Sequence, residues 1–222
     1  MQKTTTTGIE IVEARPDHVP FIAWVMLTAA RSHLERGMWD FMAGPEEART
    51  LRFLEALAST PEPHWAHHSM FLVAEVKGRP ASALRGYFDE ESGAASLAPA
   101  LPVAACASGI IFEELIQTWL MSGGATIAQV APEHVPGAWI VEHVATLPEF
   151  RRQGLIDRLL AAVIEKGRSR GATVADVGVF IGNDRAQRAY EKAGFVVTGE
   201  RRNADFEAAY GFPGVRDLSR TI

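Results

Sequence analysis

The spacing of apolar side chains divides this chain into short alternating stretches and longer stretches with a helical repeat. Residues 9–14 alternate, with Ile9 and Ile11 set against Glu10 and Glu13, and this predicts a first strand. Arg15-Pro16-Asp17 breaks it, and Asp17 is placed to cap a helix over 19–34 that Gly37 closes. Pro45-Glu46-Glu47 opens another helix, with acidic residues at the positive end of its dipole and Leu51, Leu54 and Leu57 on one face. The runs 70–76 and 80–87 flank Lys77-Gly78-Arg79, the pattern of a β-hairpin. Residues 89–93 form an acidic loop. Further on, Ile110, Ile111, Leu115 and Trp119 recur at helical spacing and predict one long helix over 103–121, closed by Gly123-Gly124.

The second half is more regular. Residues 138–146 read as a strand and 154–169 as a helix, whose pairs Leu155/Ile156, Leu159/Leu160 and Val163/Ile164 place one apolar face against a sheet. Residues 173–181 are almost continuously apolar, as a central strand covered on both faces should be. A short helix over 183–193 has Ala186, Ala189, Tyr190 and Ala193 on its inner face. Two final strands, 195–201 and 215–222, are joined by a loop carrying Asp205 and Glu207. The order is that of an α/β protein with a mixed central sheet of about seven strands, helices on both faces and a helical insert, 94–137, before the fourth strand. Residues 8–222 form one domain in this reading, behind a flexible polar terminus, 1–7.

Composition narrows the class. The 222 residues are 47% hydrophobic and 22% charged, enough for a sizeable core. A net charge of −5 argues against a nucleic-acid binder that works by phosphate neutralisation. The single cysteine, Cys106, excludes an internal disulfide. The polar N-terminus lacks a signal-peptide core, and no apolar stretch is long enough for a bilayer. The expectation is a cytoplasmic protein with no membrane partner.

The chemistry concentrates between Trp139 and Phe195. After the fourth strand comes Pro148-Glu149-Phe150-Arg151-Arg152-Gln153-Gly154-Leu155-Ile156, a basic glycine turn that opens a helix. Backbone N–H groups at such a helix start, on the positive end of the dipole, suit a pyrophosphate. A strand later comes Asn183, then Ala186, Tyr190, Gly194 and Phe195 at the spacing Asn-x-x-Ala-x-x-x-Tyr-x-x-x-Gly-Phe. Together these two segments resemble the GNAT superfamily of acetyl-CoA-dependent N-acetyltransferases. The first four positions of that family's Gln/Arg-x-x-Gly-x-Gly/Ala signature fit Arg151, Arg152, Gln153 and Gly154, while Ile156 stands where Gly or Ala is usual.

The resemblance implies the GNAT fold and acetyl-CoA as cosubstrate, with no metal. It assigns cofactor contacts to Arg151, Arg152, Gln153, Gly154, Leu155, Ile156 and Asn183. It also implies that the fourth and fifth strands splay, freeing N–H groups at Val144, Ala145 and Thr146 for the thioester carbonyl. Tyr190 would stand beside the coenzyme A sulfur as a general acid. The acceptor would be a small-molecule amine or a peptide amino group, attacking directly in a ternary complex. An amine titrates near roughly 10, so it arrives protonated and needs a base. Glu142 and His143 are the candidates, on opposite faces by the period of a strand, with Glu142 preferred and sharing a face with Val144.

Other signals carry less. His64, His67 and His68 surround Trp65 in a Pro-rich loop, read as plain loop and not as a metal site. The five tryptophans are read as core, although Trp39 sits where GNAT proteins often shape an acceptor pocket. Cys106 reads as a buried small hydrophobe. Asp89–Glu91, Asp205 and Glu207 would suit a cationic acceptor but equally a solvated loop. The alternative from another class is a non-catalytic acyl-CoA-binding regulatory module on the same fold. A homodimer is compatible with the sequence.

Overall fold

One mixed sheet of seven strands, in the order β1-β2-β3-β4-β5-β7-β6, carries the computed structural model, which describes residues 8–222. The terminus 1–7, expected to be flexible, lies outside the described residues. In chain order the elements are β1 (Ile9–Glu13), α1 (Val19–Arg31), α2 (Met38–Ala43), α3 (Glu47–Ala58), β2 (Phe71–Val76) and β3 (Arg79–Phe88). There follow α4 (Asp89–Ser92), α5 (Ala100–Ala107), α6 (Phe112–Met121), β4 (Trp139–Thr146) and α7 (Leu155–Ser169). The chain ends with β5 (Val174–Phe180), α8 (Asp184–Lys192), β6 (Val196–Arg202), α9 (Ala204–Tyr210) and β7 (Gly214–Thr221). All neighbours are antiparallel except β4 and β5.

Each face of the sheet has its own core. Leu159, Leu160 and Val163 of α7 pack with Leu84, Trp139, Val141 and Val177 on one face. Ile22 and Met26 of α1 and Phe53 and Leu54 of α3 pack with Phe71, Val73, Tyr87 and Ile140 on the other. The insert lies on this second layer: Ala104, Ala105 and Leu115 of α5 and α6 join the same core. Close packing leaves some positions no room for a side chain. A Cβ on Gly86 in β3 would lie 2.4 Å from both Trp139 Nε1 and Val163 Cγ2. Gly86→Ala should therefore cost about 1–3 kcal/mol by overpacking, read as a lowered Tm. An unchanged Tm would show that α7 can retreat freely from the sheet.

Several expectations change. The first helix ends at Arg31, not 34, and its entry is a turn at Pro16–His18 with His18 as the capping residue; Asp17 pairs instead with Arg15. Gly37 does not close that helix but opens α2, too short to leave a periodic signature. The chain passes so close to α1 that a Cβ on Gly37 would meet Ala30 O at 2.3 Å. Asp40 fixes this corner, accepting from Gly37 N at 2.8 Å and from Arg31 at 2.7 and 3.0 Å.

The long helix over 103–121 is two helices bent by 110°. Gly109, at φ +74, turns the chain between them, and Ser108 returns its hydroxyl to the Ala104 carbonyl at 2.8 Å. Cys106, near the end of α5, is exposed and not a buried hydrophobe. The acidic stretch 89–93 holds the helical turn α4, and the loop with Asp205 and Glu207 folds into α9, capped by Asn203 on Phe206 N at 2.9 Å. Among the described residues no single helix is long and apolar enough to cross a membrane.

Candidate active site

The parallel pair β4 and β5 is joined only where Trp139 faces Ala175 and Ile140 faces Asp176. Beyond those residues the strands part, and a cleft of 260 Å³ opens between them. Its walls are β4 from Val141 to Thr146, β5 from Gly178 to Phe180, the inner face of α8 and the end of α1. Along this wall the β5-facing edge of β4 has no ladder partner among the described residues, which leaves backbone N–H groups free to meet a ligand.

A bulge in β4 shapes the same wall. Ala83 faces Ala145 and Arg85 faces Glu142, so β3 takes two steps where β4 takes three. The extra residue is His143, at φ +52, a left-handed conformation that costs a branched or bulky residue of order 1–3 kcal/mol. The consequence corrects the strand-period expectation. Glu142 reaches Arg85 and Tyr87, while the His143 ring lies 4.7 Å from Trp65 and 6.0 Å from Phe71, so both side chains share one face. Val144 packs in the opposite core and does not share a face with Glu142.

Glu142 Oε2 accepts from Arg85 Nη2 at 3.0 Å and from the Tyr87 hydroxyl at 3.0 Å. The side chain is 26% exposed and lines the cleft. His143 is held neutral: burial and the Arg85 charge push its imidazole well below the usual range, and its Nδ1 is buried without a partner among the described residues. Tyr190 of α8 comes from the far wall. Burial and the Glu142 charge both raise its phenol above the ordinary range, so it stays protonated at neutral pH.

At the other end of the cleft, Arg151 and Ile156 contribute from the glycine turn. Gly154 takes φ +72 at the start of α7, and a Cβ there would meet nothing within 4 Å, so space lies open before the helix. No side chain caps α7, leaving its first N–H groups without an intrahelical partner, in the manner of an anion site. These features fit a diphosphate. Arg152 and Gln153 are exposed and Leu155 is core; none of the three, nor Gly154, lines the cleft. Asn183 does line it, with both side-chain atoms engaged: Oδ1 accepts from Ala186 N at 3.1 Å, capping α8, and Nδ2 donates to Ser32 Oγ at 2.7 Å. That bond ties the end of α1 to α8 across the cleft.

Sequence reasoning passed over Thr28 and Ala29 of α1, Ser32 just after it, and Arg185. Only Arg185 had a signal, a second basic residue beside Asn183; the end of α1 reaches the cleft by packing alone. Trp39, by contrast, is fully buried against Phe53 and Trp65 and lies outside the lining. The acidic residues Asp89–Glu91, Asp205 and Glu207 are exposed and lie away from it. The histidine cluster is satisfied by its own loop. His64 bonds Thr60 at 2.8 Å and accepts from Ala66 N, His67 bonds Ser69, and His68 bonds the Ala58 carbonyl. Among the described residues no group of three or more His, Cys, Asp or Glu is arranged to hold a metal ion.

Comparison with known proteins agrees with this architecture. The family model described as the Acetyltransferase (GNAT) family matches residues 38–195. An N-acetyltransferase from Staphylococcus aureus Mu50 superposes with a TM-score of 0.64 at 19% identity, covering 95% of this chain and 100% of that one. The protein yncA from Salmonella typhimurium, solved with its cofactor acetyl-CoA, gives a TM-score of 0.54 at 15% identity over 96% of this chain and 94% of that one. An agmatine N-acetyltransferase gives 0.55 at 15% identity, covering 97% and 100%. No curated protein sequence matches the chain.

Proposed function

The chain belongs to the acetyltransferase (GNAT) family and is an acetyl-CoA-dependent N-acetyltransferase, and from that premise we propose that it acylates a cationic amine by direct attack within a ternary complex. The observation that carries this reading is the cleft itself, where Glu142, Tyr190 and the unpaired edge of β4 meet between splayed strands. Residues 8–222 act as one unit in this account.

The diphosphate of acetyl-CoA binds the N–H groups that open α7, at Gly154, Leu155 and Ile156, with Arg151, Arg152 and Gln153 around the turn. Arg151 and Arg185 line the cleft and supply positive charge to it. The thioester lies along β4, and the free N–H groups among Val144, Ala145 and Thr146 receive the oxyanion that forms when the amine attacks. Glu142, the only acidic side chain among the described residues that line the cleft, draws in the ammonium group and takes its proton. The amine nitrogen bonds the carbonyl carbon, the C–S bond breaks, Tyr190 gives its proton to the departing thiolate and regains one from the acylated nitrogen as it becomes the amide, and Glu142 releases the proton it took to solvent. Asn183 acts through its cap on α8, which fixes the helix carrying Tyr190.

Direct attack is favoured over an acyl-enzyme because the only cysteine, Cys106, sits on α5 away from the lining. Initial rates with both substrates varied test this: intersecting double-reciprocal lines are expected, and parallel lines would contradict it. The phosphate assignment has its own test. Gly154 is a poor probe because any side chain there is strained at φ +72, so Arg151→Ala is the variant of choice. It should weaken acetyl-CoA binding by about 1.5–3 kcal/mol in calorimetry, the worth of a charge-assisted contact; unchanged affinity would move the diphosphate elsewhere.

A further inference from the structure

Arg85 is an unusual residue to find where it is. Its guanidinium is fully buried in the middle of β3, yet among the described residues it makes one hydrogen bond, to Glu142, and its Nε and Nη1 have no partner. A buried arginine so poorly satisfied does not repay its desolvation through a single contact with a carboxylate that is itself partly exposed. What it has instead is a clamp. The guanidinium carbon lies 4.4 Å from the Trp65 ring centroid and 3.9 Å from the Tyr87 centroid.

The clamp is built from the loop that carries His64, His67 and His68. His64 and His68 pin that loop to the end of α3 through Leu57, Ala58 and Thr60, and the loop delivers Trp65. Trp65 Nε1 donates to the Tyr87 hydroxyl at 3.2 Å, which donates in turn to Glu142 Oε2. Arg85 donates to the same oxygen. Two donors converge on Oε2, and Oε1 has no bond to a described residue. Other charged or titratable groups near this carboxylate are His143 beside it on β4 and Tyr190 from α8, the first neutral and the second protonated.

We propose that Arg85 is a positioning residue for acetyl transfer: packed on the rings of Trp65 and Tyr87, it fixes Glu142 by one oxygen so that the other meets the incoming amine. The inference rests on Glu142 acting as the proton acceptor. The geometry assigns Arg85 no contact with substrate, since it is absent from the cleft lining; it acts through Glu142 alone.

The test is Arg85→Met, a change of similar volume that leaves behind only Glu142, whose side chain is 26% exposed and keeps access to water, with Arg85→Lys beside it to retain charge without the planar fork. The readouts are Tm, acetyl-CoA affinity, kcat and the pH–rate profile. Arg85→Met should remain folded and keep its acetyl-CoA affinity but lose about 10–100-fold in kcat, because Glu142 is no longer held by one oxygen. Arg85→Lys should restore only part of that kcat, since it lacks the planar fork. In a Glu142→Gln background, Arg85→Met should have no further effect. If Glu142→Gln alone leaves the acid limb in place, Glu142 is not the proton acceptor and the inference falls with that reading. If Glu142→Gln removes the limb while folded Arg85→Met leaves kcat unchanged, the inference alone is overturned. Should Arg85→Met not fold, Tyr87→Phe, which removes the second donor to Oε2, must lower kcat while acetyl-CoA binds as before, and an unchanged kcat counts against the clamp.

Discussion

Replacing Tyr190 with phenylalanine should lower turnover by about 10²–10⁴-fold while acetyl-CoA binds as before, the pattern of a group that acts only in the transition state. The tyrosine sits on the wall opposite Glu142, and its ring packs against Phe195 at 6.2 Å, a contact that phenylalanine retains. What the variant loses is a proton. Burial and the Glu142 charge keep the phenol protonated, whereas a free thiol titrates near roughly 8.5 and leaves readily as thiolate. A protonated donor beside that sulfur stops the thiolate from returning to the new amide carbon. Single-turnover rates with calorimetry on the same protein check both halves of the expectation. Wild-type turnover would reduce Tyr190 to a packing residue.

The second large effect is expected at Glu142. In Glu142→Gln the rate at neutral pH should fall by about 10²–10⁴-fold, and the acid limb of the pH–rate profile should disappear. The sign follows from the chemistry: below its titration the carboxyl already holds a proton and cannot take the amine's, so the rate declines as pH falls. Burial and Arg85 hold His143 neutral well below the ordinary imidazole range, and a limb supplied by His143 would persist in Glu142→Gln. Glutamine can still accept from Arg85 and Tyr87, so the fold should survive. A stable variant with its acid limb intact would remove Glu142 from the mechanism.

The elements that position the site were legible in the sequence where a side-chain period ran long enough. The four-residue recurrence from Leu155 to Ile164 became the buried face of α7, the apolar run of β5 became a central strand, and Lys77-Gly78 became a hairpin turn with both residues at positive φ. The bulge was not legible. Nothing about His143 signals a left-handed residue, since no glycine or asparagine stands there; the conformation is imposed by pairing with β3 on one side and the loss of β5 on the other. That single residue turned an expectation of opposite faces into a shared one. The short helices α2 and α9 fell below the length at which periodicity can be read. The break at Gly109 was hidden because apolar residues continue on both sides of it. Asn183 and Tyr190 stood out by spacing, but the bond from Asn183 to Ser32 joins residues 151 positions apart and only the folded chain brings them together.

The central claim is that the splayed cleft transfers acetyl from acetyl-CoA to an amine. Its most direct measurement is the release of free coenzyme A thiol from acetyl-CoA by the purified protein, across a panel of small primary amines and peptide amino termini, with product mass recorded for each. The account predicts thiol release that depends on the amine and matches the N-acetylated product mole for mole. Saturable acetyl-CoA binding without thiol release on any amine would contradict it and leave an acyl-CoA-binding module on this fold.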